Sequence, residues 1–324
     1  MTTTRIFAGL CAACCGWAMS AGAAEPAAFA PRSMAYVLQP DSFAKSRAAA
    51  VARLAACDRD LIVLEHAYGT AQGQQWTPNE LAAIRRGKTG RKVVAYISIG
   101  EAEDYRPYWH KEWDADKDGR PDPGAPKFLC AVNPEWKGNY RVKYWHKQWQ
   151  AIIEAYLDEI VAQGFDGMYM DIVDAFEFFE FDPAKKDWID DRKNPETGNT
   201  YRQDMIAWVL KLAGRARAKA GPGFLVIPQN GTQLLADATF LKTIDAVGVE
   251  DLFTNGNKKQ QRQEVANRLS HLQYAKKAGK PVLLIEYGTN AKARAISQQG
   301  ATQHGLVLLL TDRQLTGKDL REPK

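Results

Sequence analysis

Asp171 and Asp174 close the run Gly164-Phe-Asp-Gly-Met-Tyr-Met-Asp-Ile-Val-Asp174, which is short, mostly apolar and opened by a glycine. A carboxylate at the end of such a run is costly to bury without a partner or a task. A helix cap or an ion pair accounts for either residue alone; the pair points to a site. The same pattern recurs along the chain. Apolar runs end in Gln39, in Glu65, in Ser98 with Glu101, in Gln229 with Asn230, in Glu250, in Glu286 with Tyr287, and in Thr311 with Asp312. Histidine is absent from all these positions. That argues against serine–histidine–aspartate chemistry and against histidine-rich metal sites. Carboxylates in different environments suit acid–base or nucleophilic work on a glycosidic bond, which needs two of them.

The elements that must position these groups are strands and helices in alternation. Apolar runs predict strands over 34–38, 61–65, 93–98, 165–171, 224–229, 246–250, 282–287 and 306–311. Thr77-Pro78-Asn79-Glu80 is a capping box with proline at the first helical position. Ile152, Ile153, Tyr156, Leu157, Ile160 and Val161 keep a helical period up to Gly164, a stop signal, and 258–279 reads as a second clear helix. The pattern predicts an α/β protein, a (β/α)8 barrel in a single domain over 25–324, with long connections after the third and fourth strands and a stunted eighth helix. A doubly wound open sheet is the alternative, but no glycine-rich phosphate loop follows the first strand.

In such a barrel, active sites lie at the C-terminal ends of the strands, and inward side chains stack in layers from alternate strands. Strands two, four, six and eight end in Glu65, Asp171, Glu250 and Asp312. The backbones of Asp171 and Glu250 should stand roughly 9–10 Å apart at ~4.8 Å per strand, bringing their carboxyls to about 5 Å. That spacing fits a retaining double displacement. Glu286 on the seventh strand is the main rival to Glu250.

The long connections, 99–139 and 174–200, hold many aromatic residues. These include Tyr105, Tyr108, Trp109, Trp113, Trp136, Tyr144, Trp145, Phe176, Phe178 and Phe179, some as sugar-stacking platforms and most as packing. Asp114, Asp116, Asp118 and Asp122 resemble the front half of a calcium loop, but Ala125 stands where the bidentate glutamate belongs. A solvated acidic turn is the simpler reading, and no cofactor is expected.

Composition sets the class and compartment. The chain has 324 residues, 45% hydrophobic and 25% charged, as soluble globular proteins do. Residues 1–24 carry Arg5, an apolar run from Ile6 to Met19, and small residues up to Ala24, which predicts a cleaved signal peptide and export to the periplasm or medium. The run is too short to span a bilayer, so no stable membrane association is expected. Cys57 and Cys130 remain after cleavage, as a disulfide or as two free thiols. The formal charge of +5 becomes +4 once Arg5 is removed, without basic clusters, which argues against nucleic acid as partner. A monomer is expected.

Val94-Ala-Tyr-Ile-Ser-Ile-Gly-Glu-Ala-Glu-Asp-Tyr-Arg-Pro-Tyr-Trp109, Gly164 to Asp174, Pro228-Gln-Asn-Gly231 and Gly248-Val-Glu250 resemble glycoside hydrolase family 114, which includes the endo-α-1,4-polygalactosaminidases. The resemblance runs from Tyr36 to about Asp312. It implies a (β/α)8 barrel and retaining hydrolysis of α-1,4-linked galactosamine, with Asp171 as nucleophile and Glu250 as acid–base. The strand ends and motifs nominate Tyr36, Glu65, Ser98, Glu101, Arg106, Trp109, Asp174, Gln229, Asn230, Tyr287 and Asp312 as residues that bind a galactosamine-containing polysaccharide. Related sequences usually carry aspartate where Glu65 stands. Chitinase-like enzymes share the Asp-Gly…Asp run, but Val173 stands where their catalytic glutamate belongs. A catalytically silent polysaccharide-binding barrel and a scaffold subunit of an export system are the readings from other classes. The first need not keep both Asp171 and Glu250; activity on polymer separates the second.

Overall fold

A computed structural model describes residues 29–71 and 73–320. The predicted signal peptide, 1–24, lies outside them. Parallel strands follow one another in chain order: β1 (Met34–Val37), β2 (Leu61–Leu64), β3 (Lys92–Ser98), β4 (Gly167–Asp171), β5 (Leu225–Pro228), β6 (Val247–Glu250), β7 (Val282–Glu286) and β8 (Val307–Leu310). Between them run α1 (Arg47–Ala56), α2 (Pro78–Arg86), α3 (Lys147–Gln163), α4 (Tyr201–Ala220), α5 (Ala238–Thr243), α6 (Arg262–Lys277) and α7 (Ala291–His304). Among the described residues no helix follows β8, in line with the stunted eighth helix expected.

The fold is α/β, with strand order as in a (β/α)8 barrel. The hydrogen-bonded ladder runs in two arcs, β1 to β5 and β6 to β8. A parallel bridge from Gln229 to Gly248 joins them at one seam, and β8 lies beside β1 at the other. The pleat sorts each strand into two faces. Met34 and Tyr36, Leu61 and Val63, Tyr169, Leu283 and Ile285, and Leu309 form one apolar cluster shared by the strands' inner faces. The alternate residues join the helices in a second, larger cluster that includes Leu54, Ile84, Ile153, Leu157, Ile160 and Trp208.

Local signals place the helices. Thr77 and Glu80 cap α2 reciprocally, with Pro78 at its first turn. Gly164 ends α3 in a left-handed conformation, φ 87°, three residues before β4 begins at Gly167. The helix predicted over 258–279 is shorter, because Lys258–Lys259 pairs with Thr254–Asn255 in a hairpin before α6 begins.

Both long connections are more structured than loops. After β3, Glu101–Glu103, Leu129–Asn133 and Trp136–Val142 make a three-stranded antiparallel sheet over the strand ends. After β4, a short helix (Phe176–Glu180) leads into a hairpin of Phe181–Asp182 with Asp187–Trp188. Cys57 and Cys130 are free thiols. No helix among the described residues is long and apolar enough to cross a membrane.

Candidate active site

A cleft of ≈ 1490 Å³ opens at the C-terminal ends of the strands, between the inserted sheet and the hairpin after β4. Asp171, the last residue of β4, and Glu250, the last of β6, both line it. Gln229, just after β5, lies between them. Its Nε2 donates to Asp171 Oδ1 at 2.8 Å and to Glu250 Oε1 at 3.4 Å. Those two oxygens therefore stand no farther apart than about 6 Å, near the ~5–5.5 Å of retaining glycosidases and short of the ~6.5–9.5 Å that admits an attacking water.

The two carboxylates have different surroundings. Asp171 accepts from Tyr96 Oη at 2.9 Å, from Gln229 at 2.8 Å and from the Ile172 N–H at 2.8 Å. Glu250 accepts from Tyr287 Oη at 2.5 Å and only distantly from Gln229. Burial and then the charge of Glu250 push the Asp171 carboxyl up to about 7. Burial raises Glu250 as well, against the Tyr287 hydrogen bond. Two carboxylates this close cannot readily both ionise, so near neutral pH the pair holds one proton. Tyr36, Tyr96, Tyr169 and Tyr287 are buried beneath and beside it. Tyr169 lies so near β6 that a Cβ on Gly248 would fall 1.9 Å from its Oη.

The backbone turns sharply after each of these strands. Ile172, Asn230 and Asp251, the residues that follow Asp171, Gln229 and Glu250, have φ of 57°, 59° and 50°. Left-handed backbone is uncommon outside glycine and a genuine outlier for a β-branched isoleucine. Here it reverses the chain immediately past each functional side chain, leaving that side chain at the cleft floor.

The other nominated residues divide. Tyr36, Glu65, Glu101, Arg106, Asp174, Gln229, Asn230 and Tyr287 line the cleft. Asp174 is half-buried and its carboxyl accepts no hydrogen bond from another described residue; burial, then Glu177, Asp171 and Glu250, push it well above the carboxylate range. Glu101 is buried and accepts from Asn133 at 2.9 Å and Asn139 at 3.4 Å, both on the inserted sheet. Arg106 is occupied: it pairs with Glu65 at 2.7 and 3.0 Å and with Glu103 at 2.5 Å. Burial pushes Glu65 up, but the charge of Arg106 and hydrogen bonds from His66 and Arg106 outweigh it, holding the carboxyl at about 2. Arg106 and Glu65 thus brace the cleft wall. Asn230 accepts from the Glu250 N–H at 3.3 Å and from Arg268 at 3.2 Å, tying β5 to β6.

Ser98, Trp109 and Asp312 do not line the cleft. Ser98 is buried and donates to the Glu101 carbonyl at 3.0 Å. Trp109 packs against Tyr140 and Trp113, with centroids 4.5 and 5.0 Å away. Asp312 shares its face of the last strand with Leu308 and Leu310, faces a groove outside the strands and accepts from Thr316 at 2.8 Å. The rival Glu286 points outward too, accepting from the N–H groups of Phe253 at 2.7 Å and Thr254 at 3.2 Å. Of the acidic turn, Asp114, Asp116 and Asp122 bring carboxylate oxygens within 4.8 Å of one another, and Asp118 is not among them. Asp114, Asp118 and Asp122 accept from backbone N–H groups of the same loop, which is enough to shape it.

Some site residues carried no signal strong enough to single them out. Tyr96 and Tyr169 read simply as strand interior. Glu177 and Trp188 lie in the connection after β4 and become cleft residues only once its helix and hairpin form.

A family model decides the class: that of glycoside-hydrolase family GH114 matches residues 64–322. The chain belongs to this family. It is a glycoside hydrolase. An uncharacterized protein of Deinococcus radiodurans is 35% identical over 248 residues, covering 76% of this chain and 72% of its own. One of Methanocaldococcus jannaschii is 35% identical over 230 residues, covering 70% and 60%. Among solved structures, the glycoside hydrolase domain of PelA from Pseudomonas aeruginosa superposes with a TM-score of 0.62 at 18% identity, over 89% of this chain and 97% of that one. Ega3 of Aspergillus fumigatus, solved as a complex with galactosamine, gives 0.60 at 18% identity, over 88% and 93%. At that identity the likeness is one of fold.

Proposed function

We propose that this GH114 hydrolase cleaves α-1,4-linked galactosamine-containing polysaccharide with retention of configuration, Asp171 acting as nucleophile and Glu250 as acid–base. The observation that carries the reading is the single amide of Gln229 reaching both carboxylates. The pair shares one proton, and in the reactive arrangement Asp171, on which three donors converge, is the ionised member and Glu250 carries the proton. Asp171 attacks the anomeric carbon while Glu250 gives its proton to the departing glycosidic oxygen, leaving a glycosyl ester on Asp171. Glu250, now anionic, takes a proton from water as that water attacks the same carbon and the bond to Asp171 breaks.

Two features support the substrate class. Exposed aromatic rings ring the cleft: Tyr105, Trp136, Phe178 and Trp188 are 47%, 43%, 42% and 62% exposed, and all line it. Such faces suit sugar stacking. Asp174 and Glu177 stand beside the pair with raised proton affinity, and an amine-bearing sugar would supply the cation that favours their ionised, hydrogen-bond-accepting form. Ega3, of the same fold, was solved with galactosamine.

The test is product release from partially deacetylated α-1,4-galactosamine polymer. Asp171→Asn and Glu250→Gln should each lower kcat by at least about 10²–10⁴-fold while circular dichroism stays native, because each removes a reacting group and keeps the volume. Near wild-type turnover by either variant would contradict the assignment.

A further inference from the structure

Glu250 has a second contact, on the carboxylate oxygen that Gln229 does not reach. The Tyr287 hydroxyl donates to Glu250 Oε2 at 2.5 Å from a buried ring. Over that ring lies the guanidinium of Arg313, its carbon 4.1 Å from the centroid. Arg313 is itself held, because its Nη2 donates to both carboxylate oxygens of Asp251 at 2.9 and 2.8 Å. Asp251 is the residue next to Glu250, reversed by its φ of 50°. One cation and one anion, locked to each other, thus bear on the same carboxyl, the cation through the Tyr287 ring and the anion from the adjoining residue.

We propose that Arg313 and Asp251 are an opposed pair of positioning residues for the acid–base group, Arg313 acting through the Tyr287 hydroxyl and Asp251 from the adjoining backbone position. The inference rests on the reading of Glu250 as acid–base. A retaining cycle needs Glu250 neutral in the first displacement and anionic before the second. A cation over the face of a phenol strengthens it as a donor, and a stronger donor favours the anionic carboxyl. A carboxylate one residue away favours the neutral form. The directions agree: Tyr287 and Arg313 lower the proton affinity of Glu250, and Asp251 raises it. Every other group facing Glu250 must be held constant for the comparison. These are Asp171, Tyr169 and Asp174 from β4 and the turn after it, Tyr36 from β1, and Arg268 of α6, which donates to the Glu250 carbonyl at 2.9 Å.

Two readouts test the pair. One is the pH profile of kcat/KM on partially deacetylated α-1,4-galactosamine polymer. The other needs no substrate: a ¹³C NMR titration of the Glu250 carboxyl, assigned by the signal lost in Glu250→Gln. Arg313→Gln and Tyr287→Phe should move both the titration and the alkaline limb to higher pH. Asp251→Asn should move them to lower pH, and asparagine tolerates the left-handed backbone at that position. Arg313→Lys, which keeps the charge, should stay nearer wild type than Arg313→Gln. Loss of a merely structural ion pair would give Arg313→Gln and Asp251→Asn the same phenotype, so shifts in one direction, or none, overturn the proposal. An inactive wild type on this polymer would defeat the substrate reading, while the titration would still decide this one.

Discussion

Asp171 is kept half-buried beside a second carboxylate, and the cost should be visible in stability as well as in rate. Its carboxyl titrates near 7 in the folded protein, where an unfolded aspartate titrates at about 3.9. The folded state therefore binds a proton that the unfolded state has already released. This group's contribution to stability is fully present below about pH 4 and is lost as pH rises through about 7. Asp171→Asn removes the titration. Relative to wild type, the variant should gain stability between pH 5 and pH 7.5, by at most about 1.4 kcal/mol per pH unit, and urea unfolding at the two pH values reads the gap. A gap independent of pH would mean that burial beside Glu250 does not raise the Asp171 carboxyl. Which carboxylates matter was partly legible in the sequence, because Asp171 and Glu250 each end an apolar run. Glu286 was not separated from Glu250 by that criterion. The pleat separates them: Leu283, Ile285 and Tyr287 share the inner face, so Glu286 must point out. The same parity puts Leu309 inside and Asp312 outside.

At the scale of elements, the strands were legible because fully buried parallel strands are continuous apolar runs. The insertion after β3 was not. Its strands alternate weakly, and the stretch 99–139 mixes proline, glycine and charge, so it read as a loop. Folded, it brings Asn133 and Asn139 onto Glu101 and presents Trp136 to the cleft. The seam between β5 and β6 depends on close approach. Gly248 bridges to Gln229 and leaves room for Tyr169, whose hydroxyl occupies the place a side chain would take. Gly248→Ala should therefore push β6 from β4, destabilise the protein by about 1–3 kcal/mol and lower kcat, because Glu250 lies two residues on. Thermal melting and turnover check this together. Unchanged stability and rate would mean that the seam tolerates the displacement.

At the scale of the whole molecule, the formal net charge is +5, but ten acidic residues, Glu101, Asp171, Asp174, Glu177 and Glu250 among them, line the cleft against four basic ones, Arg106, Lys137, Arg141 and Arg313. A cleft opposite in sign to its surroundings focuses its field on an entering cation. Amine-bearing polymer should be cleaved faster than the fully N-acetylated form. The preference should shrink with salt, since exposed charges are screened over about 10 Å at ~0.1 M. Asp174→Asn should cost more kcat/KM on the deacetylated polymer than on the acetylated one. Equal rates on matched polymers at low salt would remove the electrostatic account and leave the glycosidase. The central claim is the double displacement by Asp171 and Glu250, and stereochemistry tests it most directly. Proton NMR during the first minutes of hydrolysis of an α-1,4-galactosamine polymer resolves the anomer of the newly formed reducing end. Retention predicts the α-anomer appearing first, with β following only by mutarotation. A β-anomer released first would contradict the mechanism, because it requires direct displacement by water, for which carboxyl groups stand ~6.5–9.5 Å apart rather than bridged by one amide as here.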